Sequence, residues 1–250
     1  MGDRANTVEL TGKAAVITGG AHRVGRHITL ALASRGCDVL IHYHRSEAAA
    51  ARTEDEARAL GVRAFRVMAD LRSPEGVGAV FAAADSCLGG VDILINSAAE
   101  LEPQDLGAVS IEDWERVVNL NLRAPFFCLQ QAAQRMRARG GGAIVNISDI
   151  AGHRPWPRYP VHSISKAGVE MLTKVAALSL APSIRVNAVA PGPVEKPEAM
   201  TDERWAALAS SLPLRRPGSG QDVAQAVLFC LENDYLNGET LLVDGGDHLR

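Results

Sequence analysis

The chain alternates between two patterns of hydrophobic residues. Short apolar runs rich in β-branched residues are separated by longer stretches in which apolar positions recur with the period of an amphipathic helix. Because the short runs are apolar on both faces, they are typical of strands in a buried parallel sheet. The seven predicted strands span residues 13–18, 37–42, 63–68, 91–95, 143–148, 184–190 and 240–243.

This alternation predicts an α/β fold of the Rossmann type, a doubly wound parallel sheet of about seven strands with helices on both faces. No repeat or linker divides the chain, so we expect one NADP(H)-binding domain over residues 1–250. Ligands in such folds bind at the carboxyl ends of the strands. The proline-rich segment 191–218 follows a predicted strand, and we expect an irregular substrate loop or lid there.

Composition and charge narrow the range of functions. The 250 residues are 47% hydrophobic and 22% charged, as in a globular enzyme. The net charge is −3 and basic residues are scattered, which argues against binding to nucleic acid or a membrane surface. Residues 1–13 are polar, and the four cysteines lack metal-ligand spacing. We therefore expect a cytoplasmic protein that acts on a small molecule and binds no metal.

The first predicted strand runs into a glycine-rich turn, TGGAHRVG, at residues 18–25. Gly19 and Gly25 allow a sharp turn and a close approach of the backbone to a pyrophosphate. A helix beginning near Val24 would offer free N–H groups to the same anion. The turn predicts a dinucleotide site, although a glycine cluster alone is also compatible with a tight turn that binds nothing.

Residues at the end of the second predicted strand should contact the adenosine ribose of the cofactor. An acidic residue there selects NAD, whereas basic residues accept the 2′-phosphate of NADP. The chain has HYHRS at residues 42–46, in which His44, Arg45 and Ser46 are hydrogen-bond donors and no residue is acidic. These residues predict NADPH as the cofactor; the alternative is a solvated surface loop.

Further motifs follow the later strands. They are Asp70, INSAA at 95–99, Asn121 in VNLNL, ISDIAG at 147–152, the Lys166 helix and APGPV at 190–194. With the glycine turn, they resemble the short-chain dehydrogenase/reductase family over essentially the whole chain. The turn in that family usually reads TGxxxGxG, but Arg23 stands here at the middle glycine. This variant and the HYHRS motif resemble the pteridine reductases, which reduce biopterin or folate with NADPH.

The resemblance implies a set of cofactor-binding residues and a homo-oligomer, by analogy a tetramer. The implied cofactor residues are Gly19, Arg23, Val24, Gly25, His44, Arg45, Ser46, Asp70, Leu71, Asn96, Ala98, Lys166, Pro191, Gly192 and Val194. Two of them have a structural alternative. Asp70 could cap a helix that starts near Ser73, and Asn96 could satisfy backbone groups at a strand end.

The resemblance also places the proton donor. Family members use a Tyr and a Lys four residues apart, but His162 stands four residues before Lys166 in this chain. Asp149 occupies the position of the usual catalytic Ser, where pteridine reductases carry Asp. Because i and i+4 side chains share a helix face, we predict His162 as proton donor, beside Lys166. Asp149 would charge or orient the imidazole, and Asn121 would support the relay.

Other assignments are compatible with the same residues. Tyr159 could donate the proton if its helix continued through Pro160, and Ser148 could be the functional hydroxyl. Asp149 could then only cap the turn before Gly152. The loss of the usual Tyr is also typical of a protein that keeps the fold and cofactor but not the chemistry.

Leu101 stands where pteridine reductases carry an aromatic residue that stacks on the pterin. The predicted substrate residues are Arg23, Leu101, Asp149, Trp156 and Tyr159. We interpret the nearby Arg154, Arg158 and Arg204 as solvated surface groups rather than as attractants of an acidic substrate. The predicted function is NADPH-dependent reduction of a small carbonyl or pterin-like substrate. The alternatives are a non-catalytic NADP(H)-binding or regulatory protein and a histidine-based eliminase or isomerase.

Overall fold

A computed structural model describes residues 7–197 and 200–250. Seven strands form in the places that the hydrophobic pattern predicts, and every boundary lies within two residues of the predicted one. The strands are β1 (Ala14–Thr18), β2 (Asp38–Tyr43), β3 (Ala64–Met68), β4 (Ile93–Asn96), β5 (Gly142–Ile147), β6 (Ile184–Pro191) and β7 (Thr240–Val243).

The seven strands make one parallel sheet in the order β3-β2-β1-β4-β5-β6-β7. The order reverses between β1 and β4, so the connections that leave these two strands run to opposite sides. This reversal opens a crevice beyond the carboxyl ends of the strands, where open α/β sheets bind their ligands. The predicted Rossmann-type fold class is confirmed.

Eight α-helices cover the sheet in the part of the chain that the structure describes. They are α1 (Arg23–Ser34), α2 (Glu47–Ala59), α3 (Pro74–Leu88), α4 (Ile111–Val118), α5 (Ala124–Ala138), α6 (Pro160–Leu180), α7 (Asp202–Ser211) and α8 (Gly220–Glu232). Apolar residues of α1, α2 and α8 pack in one core on one side of the sheet. Those of α3, α5 and α6 pack in a second core on the other side.

Local sequence explains where several helices begin. The hydroxyls of Ser73, Ser110 and Ser219 accept hydrogen bonds from backbone N–H groups in the first turns of α3, α4 and α8. A π-helical turn at Asn119–Arg123 joins α4 to α5. Such turns insert an extra residue and are frequent at functional sites, and this one carries Asn121.

The segment 191–218 differs from the prediction of an irregular loop. Its prolines lie outside residues 202–211, where Thr201 caps the ten-residue helix α7. Residues 198 and 199 of this segment, like the N-terminal residues 1–6, lie outside the described residues. Within residues 7–197 and 200–250, no helix is both long enough and apolar enough to cross a membrane.

Candidate active site

A cleft of about 720 Å³ lies at the carboxyl ends of the strands. It brings together nearly all the residues that the sequence predicted for cofactor, catalysis and substrate. The predicted residues that line it are Gly19, Arg23, Val24, Gly25, His44, Arg45, Ser46, Asp70, Leu71, Ala98, Leu101, Asp149, Trp156, Tyr159, His162, Lys166, Pro191, Gly192 and Val194. Asn96 and Asn121 are absent from the cleft wall.

The glycine turn between β1 and α1 is built for a close approach. Gly19 has a φ of 64°, and a β-carbon on Gly25 would lie 2.0 Å from the carbonyl oxygen of Gly19. His22 at the N-cap of α1 provides no side-chain acceptor, so the first N–H groups of the helix are not capped by it. Free donors on an unobstructed turn fit the pyrophosphate of a dinucleotide.

Arg23 has a left-handed backbone, with a φ of 51°, at the position where the family pattern has a glycine. Its side chain reaches across the cleft mouth. The guanidinium lies 3.4 Å from the Glu195 carboxylate and donates to the Lys196 carbonyl oxygen at 3.3 Å. Arg23 therefore connects the cofactor turn to the segment that follows β6.

His42 holds the glycine turn in place, a role that the sequence did not reveal. Its Nδ1 accepts a hydrogen bond from the Gly19 N–H at 3.1 Å, and its Nε2 then donates to the Ala69 carbonyl oxygen at 3.1 Å. Burial lowers the pKa of His42 to about 4, so the ring stays neutral and Nδ1 keeps its lone pair at neutral pH.

The end of the cleft near β2 and β3 carries His44, Arg45, Ser46 and Asp70. Burial tends to raise the pKa of Asp70, but the backbone N–H and guanidinium of Arg72 outweigh it and lower that pKa. Asp70 does not cap α3, because Ser73 does so. The alternative role given to Asp70 is therefore wrong; its Oδ1 accepts from the Arg72 N–H at 3.0 Å, and the residue lines the cleft.

The two asparagines that the sequence predicted for the site lie behind the cleft wall. Asn96 is buried and donates to Asn146 Oδ1 at 2.9 Å, which gives it a structural role, and its contact with the cofactor stays a prediction. Asn121 accepts from the Glu100 N–H at 2.8 Å and donates back to the Glu100 carbonyl oxygen at 2.9 Å. Asn121 thus fixes the backbone that faces His162.

His162 lies in the first turn of α6, is buried and lines the cleft. Its Nδ1 is 3.1 Å from the carbonyl oxygen of Glu100, and its Nε2 is 3.6 Å from Asp149 Oδ2. Nε2 has no hydrogen-bond partner among the described residues. Nε2 therefore faces a carboxylate, while Nδ1 lies near both the Glu100 carbonyl oxygen and Asn121 Nδ2, which is 3.3 Å away.

Asp149 has the capping role considered for it and also lies near His162. Its Oδ1 accepts from the Ala151 N–H at 2.8 Å, which caps the turn after β5, while Oδ2 faces His162. Lys166, one turn after His162, is buried and donates to the Ile147 carbonyl oxygen at 2.8 Å. Burial lowers the pKa of Lys166 to about 8, although the Asp149 carboxylate opposes this shift.

The other candidate proton donors are placed less favourably. Tyr159 lines the cleft but precedes α6, which begins at Pro160, so it does not share a helix face with Lys166. Ser148 Oγ donates to Glu170 Oε1 at 3.0 Å. That hydroxyl is therefore engaged on the side of α6, whereas His162 has a buried nitrogen without a partner among the described residues.

Several charged groups of the cleft wall were missed or misassigned from sequence. Glu100, Glu195, Asp247 and Arg250 line the cleft, and no local motif marks them. Arg154 was interpreted as a solvated group, but it lines the cleft and donates to Asp247 Oδ1 at 2.9 Å. This partner is 93 residues away in sequence, so only the fold reveals the contact.

Known proteins are similar to this chain in sequence and in fold. The family described as "Enoyl-(Acyl carrier protein) reductase" matches residues 19–248. A short-chain type dehydrogenase/reductase of Picea abies is 34% identical, over 95% of this chain and 93% of that protein. A 3-oxoacyl-(acyl-carrier-protein) reductase of Staphylococcus aureus is also 34% identical, over 95% of this chain and 98% of its own length.

The structural comparison leads to the same family. The crystal structure of an acetoin dehydrogenase from Salmonella typhimurium superposes with a TM-score of 0.88 at 33% identity, over 95% of this chain and 96% of that one. Oxidoreductases of this kind use a nicotinamide cofactor, and the uncapped glycine turn fits one. The chain belongs to the short-chain dehydrogenase/reductase family of oxidoreductases.

Proposed function

We propose that this protein is an NADPH-dependent reductase of a small carbonyl or pterin-like compound, with His162 as the proton donor. The observation that carries the proposal is the unpartnered Nε2 of His162, buried in the cleft wall 3.6 Å from Asp149 Oδ2. Buried polar atoms normally have a partner. A substrate atom that gains negative charge would supply the missing one.

The residues around His162 would have separate roles in proton transfer and cofactor binding. When bound, the nicotinamide supplies the hydride, and the atom that gains charge takes a proton from Nε2. Asp149 stabilises the cationic ring electrostatically, and the Glu100 carbonyl oxygen orients it through Nδ1. The buried Lys166 would hold the cofactor ribose, as the family resemblance implies.

The preference for NADPH is supported by the end of β2. Arg45 lines the cleft and has no hydrogen-bond or ion-pair partner among residues 7–197 and 200–250. Ser46 is the N-cap of α2, yet its hydroxyl makes no capping bond, so hydroxyl and helix terminus are both open to a phosphate. Glu47 comes next in sequence but does not line the cleft.

The substrate class follows from the pteridine-reductase resemblance and from the aromatic residues present. Leu101 lines the cleft where a stacking ring would be expected, so it cannot supply that contact. Trp156 and Tyr159 also line the cleft, and their rings are in edge contact with centroids 5.9 Å apart. These two rings favour a flat or partly apolar substrate.

The proposal is tested by NADPH oxidation with dihydrobiopterin, folate, quinone and ketone panels. The parent should turn over a compound from these panels. His162→Gln should lower kcat about a hundredfold or more. The half-exposed His153, which lies outside the cleft lining, provides the matched control His153→Gln.

Equilibrium binding of NADPH and of NADH to the parent and its variants tests the choice of cofactor. Arg45→Ala should weaken NADPH binding about tenfold and leave NADH binding unchanged, because only NADPH carries the 2′-phosphate. Arg52→Ala, on the exposed side of α2, is the control.

Tight NADPH binding without turnover, together with new activity in His162→Tyr, would contradict a catalytic His162 and favour the non-catalytic alternative.

A further inference from the structure

Two chain segments meet at one buried carboxylate in the wall of the cleft. Asp247 follows β7 and is only 4% exposed. Arg154 comes from the loop after β5, and Arg250 lies three residues after Asp247. All three residues line the same cleft as His162.

Hydrogen bonds fix these groups. Arg154 Nη1 donates to the backbone carbonyl oxygen of Asp247 at 2.8 Å and to its Oδ1 at 2.9 Å. Arg250 Nε donates to the same Oδ1 at 2.6 Å, and its Nη1 donates to the Ser211 carbonyl oxygen at 2.8 Å. Asp244 holds the tail by accepting from the N–H and ring of His248. The two guanidinium groups are therefore built into the wall.

Within the described residues, hydrogen-bond donors are left without partners at this point of the cleft. Two cations share the single carboxylate of Asp247, and both side chains are about one-third exposed. Nε and Nη2 of Arg154, and Nη2 of Arg250, have no partner among the described residues. By contrast, Arg23 and Arg72 of the same cleft each pair with a carboxylate, those of Glu195 and Glu100.

The neighbouring wall is mostly apolar. Trp156, Met200, Trp205 and Leu208 line the cleft together with the two arginines. Guanidinium groups bind carboxylates through planar pairs of hydrogen bonds, which are stronger than neutral ones. We propose that Arg154 and Arg250 bind the carboxylate of the substrate, whose remaining surface is apolar or aromatic. The proposed reductase function is needed only to identify the cleft as the substrate site.

The test is equilibrium binding of acid and ester pairs to the full chain saturated with NADP⁺. The probes are benzoylformate and 4-acetylbenzoate, each compared with its methyl ester by calorimetry. The parent should bind at least one acid about tenfold more tightly than its ester, because only the acid can accept charge-assisted hydrogen bonds. Arg154→Gln and Arg250→Gln should each reduce this preference severalfold.

Arg158→Gln is the matched control, because Arg158 lies on the same loop, is exposed and does not line the cleft. It should leave the acid preference unchanged. NADP⁺ affinity and the melting temperature of each variant show whether it is folded. Equal binding of acid and ester by the parent, or an acid preference that persists in both folded variants, would overturn the proposal. No turnover is needed, so the reductase function and the carboxylate site can fail independently.

Discussion

At the scale of single residues, two buried bases differ in how well their hydrogen-bonding groups are satisfied. His42 is neutral and satisfied at both nitrogens, so it serves the backbone of the glycine turn. Lys166 is buried with one hydrogen bond, to the Ile147 carbonyl oxygen, and burial lowers its pKa to about 8. A buried ammonium with only one hydrogen bond lowers the stability of the folded chain. Such destabilising charged groups are typical of functional sites, and this one lies one turn from His162.

The loss of folding stability caused by burying Lys166 should depend on pH. Its folded pKa of about 8 is below the usual 10.5, so between these values the unfolded chain binds more protons than the folded one. The stability of the parent should therefore gain from this group as pH rises from 8 to 10.5. Lys166→Met removes the effect, so its stability relative to the parent should fall over this window by up to about 3 kcal/mol.

Urea unfolding at pH 7 and at pH 10.5 measures this difference. Lys174→Met is the control, because Lys174 is exposed on the same helix. A stability difference between Lys166→Met and the parent that stays constant with pH would contradict a lowered pKa at Lys166.

At the scale of elements, the sequence predicts what is local and misses what depends on the fold. The seven strands were predictable because each is a short and mostly apolar run between longer stretches of helical period. Helix α7 was missed because the prolines around it were interpreted as signs of a loop. The contact of His42 with Gly19 and that of Arg154 with Asp247 join distant segments, so no local pattern could indicate them.

Two substitutions at Arg23 can separate the effect of its backbone conformation from the effect of its side-chain charge. Arg23 has a φ of 51°, which costs an L-residue about 1–2 kcal/mol and a glycine little. Arg23→Gly and Arg23→Ala both remove the ion pair with Glu195, but only the glycine relieves the backbone. Arg23→Gly should therefore be about 1 kcal/mol more stable than Arg23→Ala, while both weaken NADPH binding to a similar extent.

Urea unfolding of the two variants without cofactor, followed by NADPH titration, tests both parts. Equal stability of the glycine and alanine variants would mean that the turn is not held in the left-handed region. Equal NADPH affinity in parent and variants would remove Arg23 from the cofactor site.

At the scale of the whole molecule, the outer face of α6 carries a stripe of exposed apolar residues. Ile164, Met171, Val175 and Leu178 are all at least half exposed and recur at spacings that share one helix face. Phe126 and Phe127 of α5 add two exposed rings. Contiguous apolar surface of this kind marks a site of protein association.

We therefore expect the tetramer that the family resemblance implies, with α6 in an interface. Light scattering should give about four times the 26.5 kDa of the chain, and Met171→Lys with Val175→Lys should lower that mass by burying charge in the contact. The control is Lys174→Glu, which changes charge beside the stripe without adding a charge to it. His162 and Lys166 lie on the same helix, so loss of assembly should also reduce the turnover proposed for this cleft. A parent chain that is monomeric at micromolar concentration would contradict this interface.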